Sequence, residues 1–201
     1  MKNNMMPSNG HRIHGFSSET FIDAREIIKS LGLKGNEVFM DAGCGDGHVA
    51  MIAHDLLDED AIIYAVDIYD ASIEDMQKEV DEKGIKNIIP ICADATEHID
   101  VEDDFVDVIL LINVWHHFNV ARKMDEATLE LKRILKPGGR IAVMEYKKEE
   151  ARHGPRYPMR VSHEVIDELF KKHDMKFVSL DCEVGEDLGD HMSHYLIVFE
   201  K

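Results

Sequence analysis

The sequence predicts an α/β domain built on a doubly wound, seven-stranded, mostly parallel sheet that ends in a C-terminal antiparallel hairpin. Three observations predict it. Short apolar, β-rich runs alternate with helix-periodic stretches; a glycine loop joins the first such run directly to a helix; the last two runs leave no room for a helix between them. A chain of 201 residues, 44% hydrophobic, is the size of one domain and buries a full core without disulfides or metal.

Residues 1–16 are polar, methionine-rich and without period, and read as a flexible arm before a single domain over 17–201. Phe21, Ala24, Ile28 and Leu31 recur at helical spacing, with Ser18 or Thr20 as cap and Gly32 near the stop. EVFMDAG (37–43) is a strand running into glycine. Val49, Ile52, Ala53, Leu56 and Leu57 give a helix, and AIIYAVD (61–67) the second strand. A helix from Ser72 carries Ile73, Met76 and Val80 and ends before Gly84, after which IIPIC (88–92) is a strand whose Pro90 implies an edge or a bulge. FVDVILLINV (105–114) is apolar on both faces, as a central parallel strand must be. A helix over 120–135 stops at Lys136-Pro137-Gly138-Gly139, and RIAVMEY (140–146) is the fifth strand. Beyond a loop at 147–161, Ser162 caps a helix with Val165, Leu169 and Phe170. KFVSLDCEV (176–184) and SHYLIVFE (193–200) then pair as the hairpin.

Charge narrows the function. Lys and Arg number 23 against 40 Asp and Glu, a formal charge of −17. Such a chain repels phosphate backbones and anionic lipid, so neither a nucleic acid nor a membrane is an expected partner. Cys44, Cys92 and Cys182 form no CxxC pair and are odd in number, which suits a reducing, cytoplasmic setting. MKNNMMPSNG has no apolar run of signal-peptide length, and VILLI (108–112) is too short to span a bilayer. A monomer or a homodimer is expected.

The first strand ends in Asp41-Ala42-Gly43-Cys44-Gly45-Asp46-Gly47. Glycines at 43, 45 and 47 permit a tight turn and let a ligand lie against bare backbone at a helix start; Cys44 lies inside the same loop. A dinucleotide fingerprint needs its third glycine at 48, where this chain has His48. Asp41 and Asp46 repel a diphosphate and suit a ligand with an amino group or a sulfonium, which favours a cationic nucleoside cofactor without phosphates. Asp67, at the end of the second strand, is placed to accept from ribose hydroxyls, and Ile68 offers an apolar face to an adenine. Asp94 is placed to accept from an adenine amino group, with Ala95 donating its backbone N–H to the ring.

Taken with VILLINVWHHF (108–118) and LKRILKPGGRIAVMEY (131–146), these motifs closely resemble the class I S-adenosylmethionine-dependent methyltransferases, nearest their small-molecule, quinone-biosynthesis-like branch. The resemblance is strong over about 20–146, and the terminal hairpin fits the family's reversed last strand. It implies S-adenosylmethionine as cofactor and S-adenosylhomocysteine as product. Gly43, Gly45 and Gly47 would lie under the methionine moiety and Asp41 near its amino group; Asp67 would hold the ribose, Asp94 the adenine amine, and Ile68 and Ala95 the adenine slot. Asn113 would turn its carbonyl or side chain toward the sulfonium end.

Methyl transfer from a sulfonium is downhill, so alignment is the main requirement and a base is needed only if the acceptor carries a proton to be lost. The weak catalytic candidates are His117 and Glu145, at carboxyl ends of the fourth and fifth strands; the alternative for the pair His116-His117 is packing beside Trp115 and Phe118. The acceptor is expected to be a small molecule in a cavity bounded by Trp115, His117 and Glu145. The segment 147–161, with Arg152, Arg156 and Arg160, is either a lid over that cavity or a solvated linker. His11 with His14 and His191 with His194 are spaced three apart but lack a third ligand, so no metal is expected. The rival readings are a nicotinamide-dependent oxidoreductase and a noncatalytic S-adenosylmethionine-binding partner subunit.

Overall fold

The computed structural model describes residues 22–149 and 154–201. Its strands are β1 (Val38–Ala42), β2 (Ile62–Asp67), β3 (Ile88–Cys92), β4 (Val106–Ile112), β5 (Leu135–Tyr146), β6 (Lys176–Asp187) and β7 (Met192–Glu200). They form one sheet in the order β3-β2-β1-β4-β5-β7-β6. The first five run parallel, while β7 inserts antiparallel between β5 and β6. Pro90 lies on the edge strand β3, where its missing N–H costs no ladder bond.

Helices cover both faces. On one side lie α1 (Ala24–Ser30), α2 (His48–Leu56) and α3 (Asp70–Lys83), packed on Phe39, Ile63, Leu110, Met144 and Val198. On the other lie α4 (Trp115–Ala121), α5 (Met124–Ile134) and α6 (His163–Lys172), packed on Met40, Ile109, Val143, Ile197 and Phe199. The strict alternation of strand side chains assigns polar groups to faces: Asp41 shares the face of Phe39, Glu145 that of Val143, and His194 that of Leu196.

Local departures have physical causes. Asp23 caps α1, its carboxylate accepting from the Glu26 N–H at 3.1 Å, whereas Ser18 and Thr20 lie outside the described residues. The stretch from 115 to 135 is two helices, not a loop and one helix. Arg122, in the left-handed conformation at φ 59°, closes α4 before α5 begins. The Lys-Pro-Gly-Gly turn belongs to β5, which pairs with β4 from Leu135 onward across a register shift between Val106 and Val108.

Candidate cofactor and acceptor site

The site assembles at the carboxyl ends of β1, β2 and β4, on either side of the point where strand order reverses. Gly43, Gly45 and Gly47 all take positive φ (84°, 55° and 82°), but their missing side chains serve different ends. A Cβ on Gly43 would stand 2.3 Å from Val114 Cγ2, and one on Gly47 2.9 Å from Met76 Cε. These two glycines let neighbouring chain pack. A Cβ on Gly45 would meet nothing within 4 Å among the described residues, so of the three loop glycines only this one leaves its backbone uncovered by them.

Asp41 is 2% exposed, and its Oδ2 has no hydrogen-bond partner among the described residues. Burial first, then the neighbouring Asp67 and Asp46, push its carboxyl up to about 8, against a hydrogen bond from the Ala50 N–H. A buried acceptor raised by like charges is relieved by an arriving cation, which is what an amino group or a sulfonium brings. Cys44 is buried beside it, and desolvation with the same carboxylates drives its thiol far above the ordinary range, which disfavours the thiolate.

Asp67 is held by two backbone donors: Gly45 N–H to Oδ2 at 2.9 Å and Tyr69 N–H to Oδ1 at 3.0 Å. Each oxygen keeps a lone pair for a further donor, as two vicinal hydroxyls require. Ile68 is 58% exposed although apolar, a ready ring platform. Asp94 receives both Thr96 donors, backbone N–H at 2.8 Å and hydroxyl at 2.7 Å, on Oδ1, and Ala95 behind it is buried. The donor set fits S-adenosylmethionine: an orphaned carboxyl for the cation, a braced carboxylate for the ribose, an apolar face for the adenine.

At the ends of β4, β5 and β7 the polar groups answer one another instead. Glu145 is fully buried. It accepts from the His116 backbone N–H at 3.1 Å, and both of its oxygens lie 3.1 Å from the His116 Nδ1. Burial alone would raise its carboxyl; the His116 charge and hydrogen bonds more than offset this and hold it below the usual range. His117 is half-buried in the first turn of α4, its ring 4.2 Å from that of His116. Asn113 takes φ 59°; its N–H donates to Met144 O at 2.9 Å and its Oδ1 lies 3.2 Å from His194 Nε2. Trp115 is no pocket wall, because it is wholly buried against Phe118 and Phe170.

Arg160 does not present its charge to a ligand: it is 2% exposed. It donates to the carbonyls of Pro155 (2.8 Å), Lys147 (3.1 Å) and Glu149 (2.8 Å), while its guanidinium sits 5.0 Å from the Tyr146 ring centroid. Arg160 thus ties Pro155 to Lys147 and Glu149. Arg152, the arm 1–16 and the pair His11 and His14 lie outside the described residues. His191 bonds to Asp190 and Glu149 at 2.7 Å each, and no three metal-ligating side chains converge among the described residues.

Sequence reasoning singled out Glu145 but missed His116 as its partner, and weighed His194 only as a metal ligand. One signal for the first was present. In IAVMEY, Glu145 keeps step with Ile141 and Val143, so it faces the core and needs a cationic or donating partner there.

Comparison with known proteins agrees with this geometry. A family model described as "Methyltransferase domain" matches residues 33–192. The chain is 25% identical over 126 residues to the ubiquinone/menaquinone biosynthesis C-methyltransferase of Proteus mirabilis. That match takes in 62% of this chain and only 48%, about half, of that protein. It is 27% identical over 143 residues, 66% of this chain and 71% of the relative, to "Probable cobalt-precorrin-6B C(15)-methyltransferase (decarboxylating)" of Sulfurisphaera tokodaii. A solved S-adenosylmethionine-dependent methyltransferase of Aquifex aeolicus superposes with a TM-score of 0.79 at 22% identity, covering 94% of each chain. An orphaned Asp41, a braced Asp67 and a family match across most of the chain converge: the chain belongs to the methyltransferase-domain family, the class I S-adenosylmethionine-dependent methyltransferases.

Proposed function

We propose that the chain transfers the methyl group of S-adenosylmethionine to a small-molecule acceptor held above the carboxyl ends of β4 and β5, under the segment 147–161. The observation that carries this reading is Arg160, whose guanidinium donates to the carbonyls of Lys147, Glu149 and Pro155 and so ties the chain just past β5 to the residues leading into α6. Both curated relatives are named for C-methylation of small molecules, which supports the same class.

Bound, the cofactor supplies an electrophilic methyl on a sulfonium. Asp41 receives the amino group, Asp67 the ribose hydroxyls, Asp94 the adenine amine, and Gly45 and Ile68 bound the slot. The Glu145–His116 pair keeps the α4 turn in place beside the acceptor and gives His116 a proton relay partner, while His117 lines the approach. Rate comes chiefly from alignment of nucleophile, methyl and sulfur. Acidic surroundings disfavour the nicotinamide reading. A cytoplasmic monomer or homodimer without nucleic-acid affinity completes the proposal, and among the described residues no helix is long and apolar enough to cross a membrane.

Calorimetry should give binding of S-adenosylhomocysteine and none of NAD; tighter NAD binding refutes the cofactor assignment. A small-metabolite extract incubated with protein and isotopically labelled cofactor should yield a labelled small product. Label found only in protein or RNA removes the small-molecule acceptor, and cofactor binding without any labelled product favours the noncatalytic subunit. A gel shift at physiological salt should show no retention of RNA or duplex DNA.

A further inference from the structure

His194 lies on β7, eighty-one residues from Asn113, yet its Nε2 is 3.2 Å from the Asn113 Oδ1. Its other nitrogen, Nδ1, is 2.6 Å from the Ser193 hydroxyl. That hydroxyl already accepts the Glu186 N–H at 2.8 Å, and Ser193 is 3% exposed. These contacts fix the direction of every proton. Were Nδ1 the donor, the serine oxygen would receive two N–H groups while its own buried proton lacked an acceptor. With the serine donating to Nδ1, all groups are satisfied. Nε2 then carries the imidazole proton and donates to Asn113. Burial lowers the His194 pKa to about 4, which keeps the ring neutral. The ring is confined on both sides: it packs tilted by 40° against Tyr146, with centroids 3.9 Å apart, and a Cβ on Gly185 would stand 2.3 Å from Nδ1.

A half-buried asparagine whose oxygen is committed must turn its amide nitrogen the other way. Asn113 Nδ2 makes no hydrogen bond among the described residues. Asn113 also directly precedes Val114, the residue packed against Gly43 of the cofactor loop. We infer that His194 is a positioning residue. Through the Ser193–His194 relay it locks the Asn113 amide with its N–H donors toward the methyl-transfer space, so the site selects an acceptor with a carbonyl or anionic oxygen beside its nucleophilic atom. The lock itself is independent of the proposed methyl transfer, while the acceptor preference rests on it. An amide nitrogen is the wrong pole to face a sulfonium and the right one to hold such an oxygen.

Nuclear magnetic resonance on the full chain, nitrogen-15 labelled in histidine and asparagine and saturated with S-adenosylhomocysteine, tests the lock without any acceptor. His194 should show the Nε2–H tautomer at neutral pH; an Nδ1–H tautomer or an imidazolium overturns the inference. In His194→Phe the single Asn113 side-chain amide signal should split or broaden while β4 backbone signals stay in place; an unchanged amide signal overturns it too. Asn113→Asp keeps an oxygen toward His194 and deletes the donor. Labelled-methyl turnover on the metabolite extract should fall about 10- to 100-fold, the range for a lost hydrogen bond to a charged group, with S-adenosylhomocysteine affinity changed less than about threefold. An equal fall in that affinity would put the amide on the cofactor, and a labelled product without oxygen near its new methyl would contradict the acceptor class. Failure of S-adenosylhomocysteine to bind wild-type protein strikes the cofactor reading instead, and leaves the tautomer measurable.

Discussion

The cofactor end and the proposed acceptor end of this sheet solve opposite problems with the same residue types. Around β1–β3, carboxylates are braced by backbone donors but keep vacant lone pairs, and Asp41 keeps a buried oxygen with no partner among the described residues. Around β4, β5 and β7, the polar side chains spend themselves on each other: Glu145 on His116, His194 on Ser193 and Asn113, Arg160 on three carbonyls. The first region stores unmet electrostatic demand for a cation; the second stores geometry. A site that binds one fixed cofactor tolerates a buried carboxyl kept from ionising, because an arriving cation relieves it. A site that must aim an acceptor is built from rigid, mutually satisfied groups.

The largest expected effect breaks the rigid region. Glu145→Ala leaves His116 without its buried partner and should cost about 3–5 kcal/mol in urea unfolding, with loss of turnover. A change below about 1 kcal/mol would make the pair ornamental.

The next effect inverts the sign in the cofactor region. Folded Asp41 holds its proton to about pH 8, whereas the ordinary carboxyl ionises at 3.8. The unfolded chain therefore sheds this proton first, and the group's contribution to stability falls as pH rises between those values, then levels off. Asp41→Asn should raise Tm by several degrees at about pH 9, by much less at about pH 4, and should weaken S-adenosylhomocysteine binding throughout. His194 slopes the other way. Its folded value of about 4 lies below the ordinary 6.5, so stability from this residue is lost as pH falls from the higher value toward the lower. His194→Phe should flatten that acid limb alone in thermal melts.

Smaller effects sharpen the contrast. Asp67→Ala should weaken S-adenosylhomocysteine by about 1–3 kcal/mol in calorimetry, the scale of hydrogen bonds to a charged acceptor. Ile68→Ser, which removes one face of the adenine slot, should cost about 1 kcal/mol of the same affinity and nothing in unfolding free energy.

These two regions also differ in how far the sequence reveals them. The glycine loop, Asp67 and Asp94 each follow a strand directly, so chain order and turn chemistry place them, and the family resemblance reaches the same residues. The alternation gives the parallel strands and the terminal hairpin, but not the order that sets β7 between β5 and β6. The Glu145–His116 contact spans 29 residues and His194–Asn113 spans 81, and no local period records such distances. The start of α4 at Trp115 was hidden for a related reason: a short helix entered straight from a strand has no polar cap to announce it. A packing role for Gly43 and Gly47 is not legible because a glycine that admits Val114 or Met76 reads, in sequence, like one that admits a ligand.

The insertion of β7 between β5 and β6 has a consequence for synthesis. When β5 has emerged from the ribosome, its outer edge has no neighbour until Met192–Glu200 follows, some forty-five residues later. At about 5–20 residues per second that interval is on the order of a few seconds. During it the nascent chain carries an unpaired apolar strand edge, the surface most apt to capture another chain. The same late strand delivers His194, so closing the sheet and aiming Asn113 are one event, and a chain stalled before β7 has a formed glycine loop but an unaimed acceptor site.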